Sequence, residues 1–180
     1  MLDAAVVAPV VVVLAGPQAS GKSTLAAGLA DERRRRGESV ALVELDQIAA
    51  MALPTLPSWT IAHRVFELVV REWVRADMSC VIAEGSASVV EVAGLRSALP
   101  ATAPLLTVAV TVPLRVAYER AQRDASRGIS RQYDFLEDVY QRWPAELARL
   151  DADLVVDTAA LSLPDAVQRL VTAIAETRAR

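Results

Sequence analysis

Residues 10–24 read VVVVLAGPQASGKST, and that stretch decides the fold. Val10 to Ala15 is an unbroken, mostly β-branched apolar run, the pattern of a central parallel strand buried on both faces. Gly16 and Pro17 break it, and a helical pattern then runs from about Gly21 to Arg36, with Gly37 placed as its C-terminal cap. Between strand and helix the residues fit G-x-x-x-x-G-K-[ST], in the setting that gives this spacing its meaning. Such a loop curls so that successive backbone N–H groups converge on a phosphate, which Gly16 and Gly21 permit, and the helix N-terminus adds its positive end. Lys22 is then set to bridge β- and γ-phosphates, and the Ser23 hydroxyl to reach Mg²⁺. Gly16, Pro17, Gln18, Ala19, Ser20, Gly21, Lys22, Ser23 and Thr24 are therefore expected to hold ATP with Mg²⁺.

Composition narrows the possibilities. The 180 residues suit a single domain with its own core. A net charge of −3 leaves no basic surface for a nucleic-acid backbone. The longest apolar run, Ala4 to Ala15, contains Pro9 and follows Asp3, so it reads as an N-terminal arm plus strand, not as a signal peptide or membrane span. One cysteine, Cys80, excludes an intrachain disulfide framework and a cysteine-based zinc site, and a reducing, cytoplasmic setting is expected. Asparagine is absent, so the Asn-Lys-x-Asp element that reads guanine cannot be present. Lys22 is the only lysine in a chain otherwise using arginine, and the two cations are not interchangeable.

Further strands are expected at Ser39–Leu45, Ser79–Ala83, Leu105–Val112 and Leu154–Val156. Helices are expected at Ser58–Ala76, where Ile61, Val65, Leu68, Val69 and Trp73 recur at helical spacing, and at Leu114–Ala125, Asp134–Leu150 and Asp165–Thr177. Strands alternating with helices predict a three-layer α/β fold, a five-stranded parallel sheet with helices on both faces. Its ligands bind at the carboxyl edge, where Gly16, Asp46 and Glu84 follow the first three strands.

The phosphate loop, the strand ending Glu44-Leu45-Asp46, the arginine-bearing stretch after the fourth strand and the late Val156-Asp157-Thr158 together resemble the small P-loop kinases, nearest the chloramphenicol phosphotransferase group. Gluconate, shikimate and adenylylsulfate kinases are more distant relatives. The resemblance covers nearly the whole chain in layout, and in sequence it is specific at the phosphate loop. It implies ATP-dependent phosphorylation of a hydroxyl on a small molecule, with an antibiotic or other secondary metabolite as the leading acceptor. A sugar acid, nucleoside or adenylylsulfate is the alternative acceptor, and a nucleotide-binding regulator the alternative class. A kinase of a cell-wall nucleotide sugar is a further alternative, for which the chain is short.

The resemblance also assigns roles. Asp46 would contact the acceptor hydroxyl and take its proton. Glu84 stands at the end of the third strand, where it either orients Mg²⁺-bound water, bonds the acceptor or caps a helix. Residues 120–133 would form a lid carrying Arg120, Arg123, Arg127 and Arg131. On a continuous helix Arg120, Arg123 and Arg127 share one face, and Gly128 permits a bend. Arg127 and Arg131 are the candidate catalytic arginines and Arg123 a nucleotide contact; a solvated helix face is the alternative reading. Residues 47–73 would build the acceptor pocket, with Met51, Leu53, Leu56, Trp59 and Phe66 as an apolar lining or simply as core. Few charges occur between Gln47 and Ile61, which disfavours a highly anionic acceptor. His63, the only histidine, reads as a surface or capping residue, with a second acid–base group as the alternative, and Thr158 to Leu161 as backbone contacts to adenine. Arg33 to Arg36 are expected to be solvated at a helix C-terminus. The sequence carries no statement of oligomeric state.

Overall fold

The computed structural model describes residues 9–86 and 88–180, so most of the expected N-terminal arm lies outside the described residues. In chain order the elements are β1 (Val10–Ala15), α1 (Lys22–Arg35), β2 (Val40–Glu44), α2 (Leu45–Ala50), α3 (Trp59–Arg75), β3 (Cys80–Glu84), α4 (Val89–Ala98), β4 (Leu105–Thr111), α5 (Leu114–Gln122), a 3-10 segment (Ala125–Arg131), α6 (Tyr133–Arg149), β5 (Leu154–Asp157) and α7 (Leu163–Arg178). The strands form one parallel sheet in the order β2-β3-β1-β4-β5, which puts β1 at its centre.

Every residue of β1 is buried, and alternate side chains feed two cores. Val10, Val12 and Leu14 pack with Leu25 and Leu29 of α1 and Leu170 and Ile174 of α7. Val11, Val13 and Ala15 pack on the other face with Phe66, Leu95 and Trp143, from α3, α4 and α6. The period-two alternation of a strand thus builds three layers from one apolar run. Cys80 lies in the first of these cores, and burial pushes its thiol up to about 11, an inert packing residue as expected. Among the described residues no helix is long and apolar enough to cross a membrane.

Several expectations need correction. Asp46 does not close a strand: β2 stops at Glu44, and Asp46 lies in the first turn of α2. Helix α4 was unforeseen, because Val89, Val90, Val92 and Gly94 are weak helix formers. It forms because Ser88 caps it through Val90 N–H and because Val92 and Leu95 bury against the sheet. Helix α3 buries Ala62, Phe66 and Val70, whereas Ile61, Val65, Leu68 and Trp73 of the expected apolar stripe are exposed.

The arginine run also divides. Arg35 and Arg36 pair with Glu32 at the surface, but Arg33 is buried against Glu38, whose carboxylate also receives Arg178 at 2.9 Å. Removing Glu38 would leave two largely buried guanidiniums without their anion. Glu38→Ala should therefore cost about 3 kcal/mol or more, read as a lowered denaturant midpoint. Burial by itself would raise the Glu38 carboxyl, but the hydrogen bond and charge of Arg178, then those of Arg33, hold it below its ordinary value. A carboxyl lowered on folding contributes stability that is complete above its unfolded value and disappears as pH falls through its folded value. Wild type should lose stability more steeply than Glu38→Gln on going from about pH 5 to about pH 3.

Candidate active site

The loop between β1 and α1 has the geometry its spacing demands. A Cβ on Gly16 would lie 2.3 Å from the Val110 carbonyl oxygen, so close approach to β4 dictates glycine there. Gly21 has φ +95° and Ala19 φ +59°, the left-handed turns that curl the chain. The Tyr140 hydroxyl donates to the Gln18 carbonyl at 3.0 Å and ties the loop to α6. Buried Lys22 donates from Nζ to the carbonyls of Gly16 (2.9 Å) and Pro17 (3.2 Å), with Glu84 Oε1 at 4.0 Å. Burial lowers the pKa of this ammonium, while Glu84, Asp46 and Glu91 act to raise it.

Three of the cavities adjoining the loop form a row. The first, about 370 Å³, is lined by Gly21, Thr24, Arg120, Arg127, Thr158 and Leu161 together with Ala19 and α7 side chains. The second, central and polar, is about 480 Å³ and includes Lys22, Ser23, Asp46, Glu84, Arg127 and Ser130. The third, about 220 Å³, is lined by Gln18, Lys22, Asp46, Trp59, His63 and Glu84 with the Gly85-Ser86 turn. Ala19 and Arg127 belong to both the first and second; Gln18, Lys22, Asp46 and Glu84 belong to both the second and third. The row therefore runs from the end of β5, across the phosphate loop, to the start of α3.

Glu84 ends β3 in register with Leu14 of β1 and Glu44 of β2, and accepts a hydrogen bond from Ser23 Oγ at 3.1 Å. Burial raises its carboxyl above the ordinary value, against the pull of Lys22 and the Ser23 bond. Of the alternatives for Glu84, helix capping drops out: α4 is capped by Ser88. Among the described residues no group of three His, Cys, Asp or Glu side chains could cage a metal by itself. A Mg²⁺ that takes one or two protein oxygens and completes its shell with phosphates and water needs no such cage. The hydroxyl of Ser23, backed by Glu84 and facing Asp46 across the polar cavity, is a donor set that fits it.

The arginines do not act as one helical face. Helix α5 ends at Gln122, and the following 3-10 segment kinks at Gly128, where φ is +51°. Arg120 donates to the Ser20 carbonyl (3.2 Å), Thr158 Oγ1 (2.8 Å) and the Thr158 carbonyl (2.9 Å), fastening the end of β5 to the phosphate loop. Arg127, paired with Asp124 at 3.2 Å, lines the first and central cavities. Arg123 and Arg131 are exposed and line none of the cavities described here. Of the apolar set expected to line an acceptor pocket, Trp59 lines the third cavity and the others line none of the three. Phe66 is core, Leu56 packs beneath it, and Met51 and Leu53 face outward.

Of two further candidates, His63 is visible in the sequence only as an alternative reading and Glu91 not at all. His63 enters the third cavity, and its Nδ1 lies 3.0 Å from Oε2 of Glu91, a buried residue of α4. No local motif joins them, since α3 and α4 are brought together only by packing on the sheet.

A family model described as AAA domain (AAA_33) matches residues 11–150. No curated protein matches the sequence significantly. Among solved structures, the protein APE1195 is similar at 18% identity over 96% of this chain and 98% of its own, with TM-score 0.69. A shikimate kinase from Acinetobacter baumannii, solved with shikimate, is 22% identical over 98% of both chains, with TM-score 0.63. A sugar kinase from Janibacter sp. HTCC2649 is 20% identical over 91% of this chain and 93% of its own, with TM-score 0.60. What this chain shares with them is the fold, the three-layer P-loop arrangement of a five-stranded parallel sheet.

Proposed function

The chain belongs to the AAA-domain family (AAA_33), and from that membership and the site geometry we propose that it is an ATP-dependent kinase of a small-molecule hydroxyl. The observation that carries this reading is the row of joined cavities with Lys22 at its middle and Asp46 on the side away from Thr158. The nucleoside fits the cavity beside Thr158 and Leu161, and the phosphates fit the loop amides and Lys22. Bound Mg²⁺ would neutralise charge on those phosphates.

Asp46, exposed to the cavity shared with Lys22, orients the acceptor hydroxyl and takes its proton as the oxygen attacks the γ-phosphorus. The new O–P bond forms as the bond to the β-phosphate oxygen breaks, and ADP leaves with that charge. Arg127 faces the central cavity and supplies a guanidinium to the transferring group. Arg123 and Arg131 would join only through movement of residues 120–133.

The kinases named above support phosphoryl transfer as the chemistry. For the acceptor, a small cavity of about 220 Å³ that offers Gln18, Lys22, Asp46, His63, Glu84 and Ser86 beside Leu45 and Trp59 favours a compact hydroxylated compound, a polar secondary metabolite or sugar derivative, over a large apolar antibiotic. The test is incubation with Mg·ATP and a panel of sugars, sugar acids, nucleosides and hydroxylated antibiotics, read by mass spectrometry. A phosphorylated product that requires Lys22 is expected. Tight adenine-nucleotide binding with no product from any member would instead favour a regulator.

Arg120 offers a separate check. Its guanidinium makes three hydrogen bonds that shape the first cavity, and charge-assisted bonds contribute about 1.5 kcal/mol or more each. Arg120→Ala should weaken ATP binding at least about tenfold while the acceptor KM stays near wild type. Unchanged nucleotide affinity would remove the first cavity from the nucleotide site.

A further inference from the structure

His63 belongs to two cavities. Beyond it, on the side away from Lys22, an outer cavity of about 260 Å³ is lined by Thr60, Arg64, Glu67, Ser88 and Glu91 among others. His63 therefore stands between the acceptor-side cavity and this outer one, lining both. Its Nδ1 lies 3.0 Å from Glu91 Oε2, an ion-pair distance without hydrogen-bond alignment, which leaves Nε2 as the freer nitrogen for a ligand.

Glu91 is itself held in place. Its Oε1 accepts the Ser86 N–H at 2.8 Å, and its side chain is almost wholly buried. Residue 85 must be glycine for this carboxylate to fit, because a Cβ there would lie 1.8 Å from Oε1. Burial, the largest influence, pushes the Glu91 carboxyl up, while His63, the hydrogen bonds of Ser86 and the charge of Lys22 all favour its anionic form. A carboxylate enclosed this tightly, held by one backbone donor, sets a buried acceptor beside the imidazole.

The charges around the acceptor point to its class. In the third cavity the side chains beside His63 include the carboxylates of Asp46 and Glu84, and the one cation, Lys22, is engaged by loop carbonyls. In the outer cavity Arg64 shares the lining with both Glu67 and Glu91. An anionic acceptor would meet mostly its own sign, while hydroxyls find Asp46, His63, Thr60 and Ser88.

We propose that His63, paired with Glu91, is a specificity-determining contact that binds a second hydroxyl of an uncharged, multiply hydroxylated acceptor spanning both cavities. This rests on the kinase reading and deepens it. The reacting hydroxyl lies at Asp46, and the remainder of the molecule passes His63 into the outer cavity.

The chain's single histidine makes the test direct. Protein labelled with ¹⁵N in the imidazole is saturated with Mg²⁺ and a non-hydrolysable ATP analogue, then titrated with D-glucose, myo-inositol, D-gluconate and shikimate. Saturable shifts of the His63 resonances are expected with the uncharged polyols, at concentrations at least about tenfold below those needed for the carboxylates. In phosphorylation assays of the polyols, His63→Ala should raise the acceptor KM about tenfold or more, with a smaller change in kcat. His63→Gln, which keeps a hydrogen-bonding group, should recover part of that loss. Glu91→Gln should alter the His63 nitrogen shifts and raise KM in the same direction, with nucleotide affinity intact.

Preference for the carboxylates would overturn the acceptor class and point to Arg64. No shift with any member, in protein that binds the ATP analogue normally, or unchanged kinetics in His63→Ala, would overturn the proposal while leaving the kinase reading standing. Failure of the analogue itself to bind would instead strike the kinase reading.

Discussion

Lys22→Ala should lower kcat/KM for ATP by about a thousandfold, the scale seen when a preorganised donor to developing charge is deleted. Every feature of the loop converges on this ammonium. It is buried, it donates to the carbonyls of Gly16 and Pro17, and it belongs to both the central and the acceptor-side cavities. Lys22→Arg should fail almost as badly, because a planar guanidinium does not fit a concavity shaped for a compact cation. Thermal midpoints of both variants separate loss of function from loss of fold. Burial, the largest influence on this group, lowers its pKa, so the alkaline limb of the kcat/KM profile should fall below the ordinary lysine value. A Lys22→Ala enzyme within about threefold of wild type would remove the phosphate loop from catalysis.

Asp46→Asn should reduce kcat by roughly 10²–10⁴ with nucleotide affinity unchanged. Asparagine keeps the shape and a hydrogen-bonding group, so the acceptor still docks, but it cannot take the proton. The position suits a base: Asp46 is exposed in the first turn of α2, on the cavity it shares with Lys22 and Glu84. Glu84→Gln gives the contrast. That carboxylate bonds Ser23, so its loss should appear as a raised Mg²⁺ requirement before it appears as a lost base. If Asp46→Asn turns over the identified acceptor at the wild-type rate, the proton goes elsewhere.

The part of the molecule legible in its sequence is the part encoded locally. The strand of Val10 to Ala15, the loop after it and α1 are adjacent in the chain, and their patterns name the structure and suggest a nucleotide. The sheet followed because each strand is a short apolar run between breakers. What escaped depends on packing at a distance. Helix α3 has apolar side chains around more of its circumference than the sheet covers, so periodicity could not tell Phe66, which is buried, from Val65, which is not. Arg33 reads like its neighbours Arg34 to Arg36 until Glu38 and Arg178 close on it. The arginines after β4 look like one helical face, yet α5 ends between Arg120 and Arg123. His63 and Glu91 are on different helices, and only the fold puts 3.0 Å between them. A solitary histidine on an amphipathic helix gives no hint of such a partner.

The central claim is that the loop around Lys22 wraps the phosphates of an adenine nucleotide between the Thr158 and His63 cavities. Calorimetric titration of the wild-type chain with a non-hydrolysable ATP analogue, with and without Mg²⁺, tests it most directly. Saturable, stoichiometric heat that depends on Mg²⁺ and vanishes in Lys22→Ala is the predicted result. A flat titration of folded wild-type protein, or binding that survives loss of Lys22 undiminished, would contradict it.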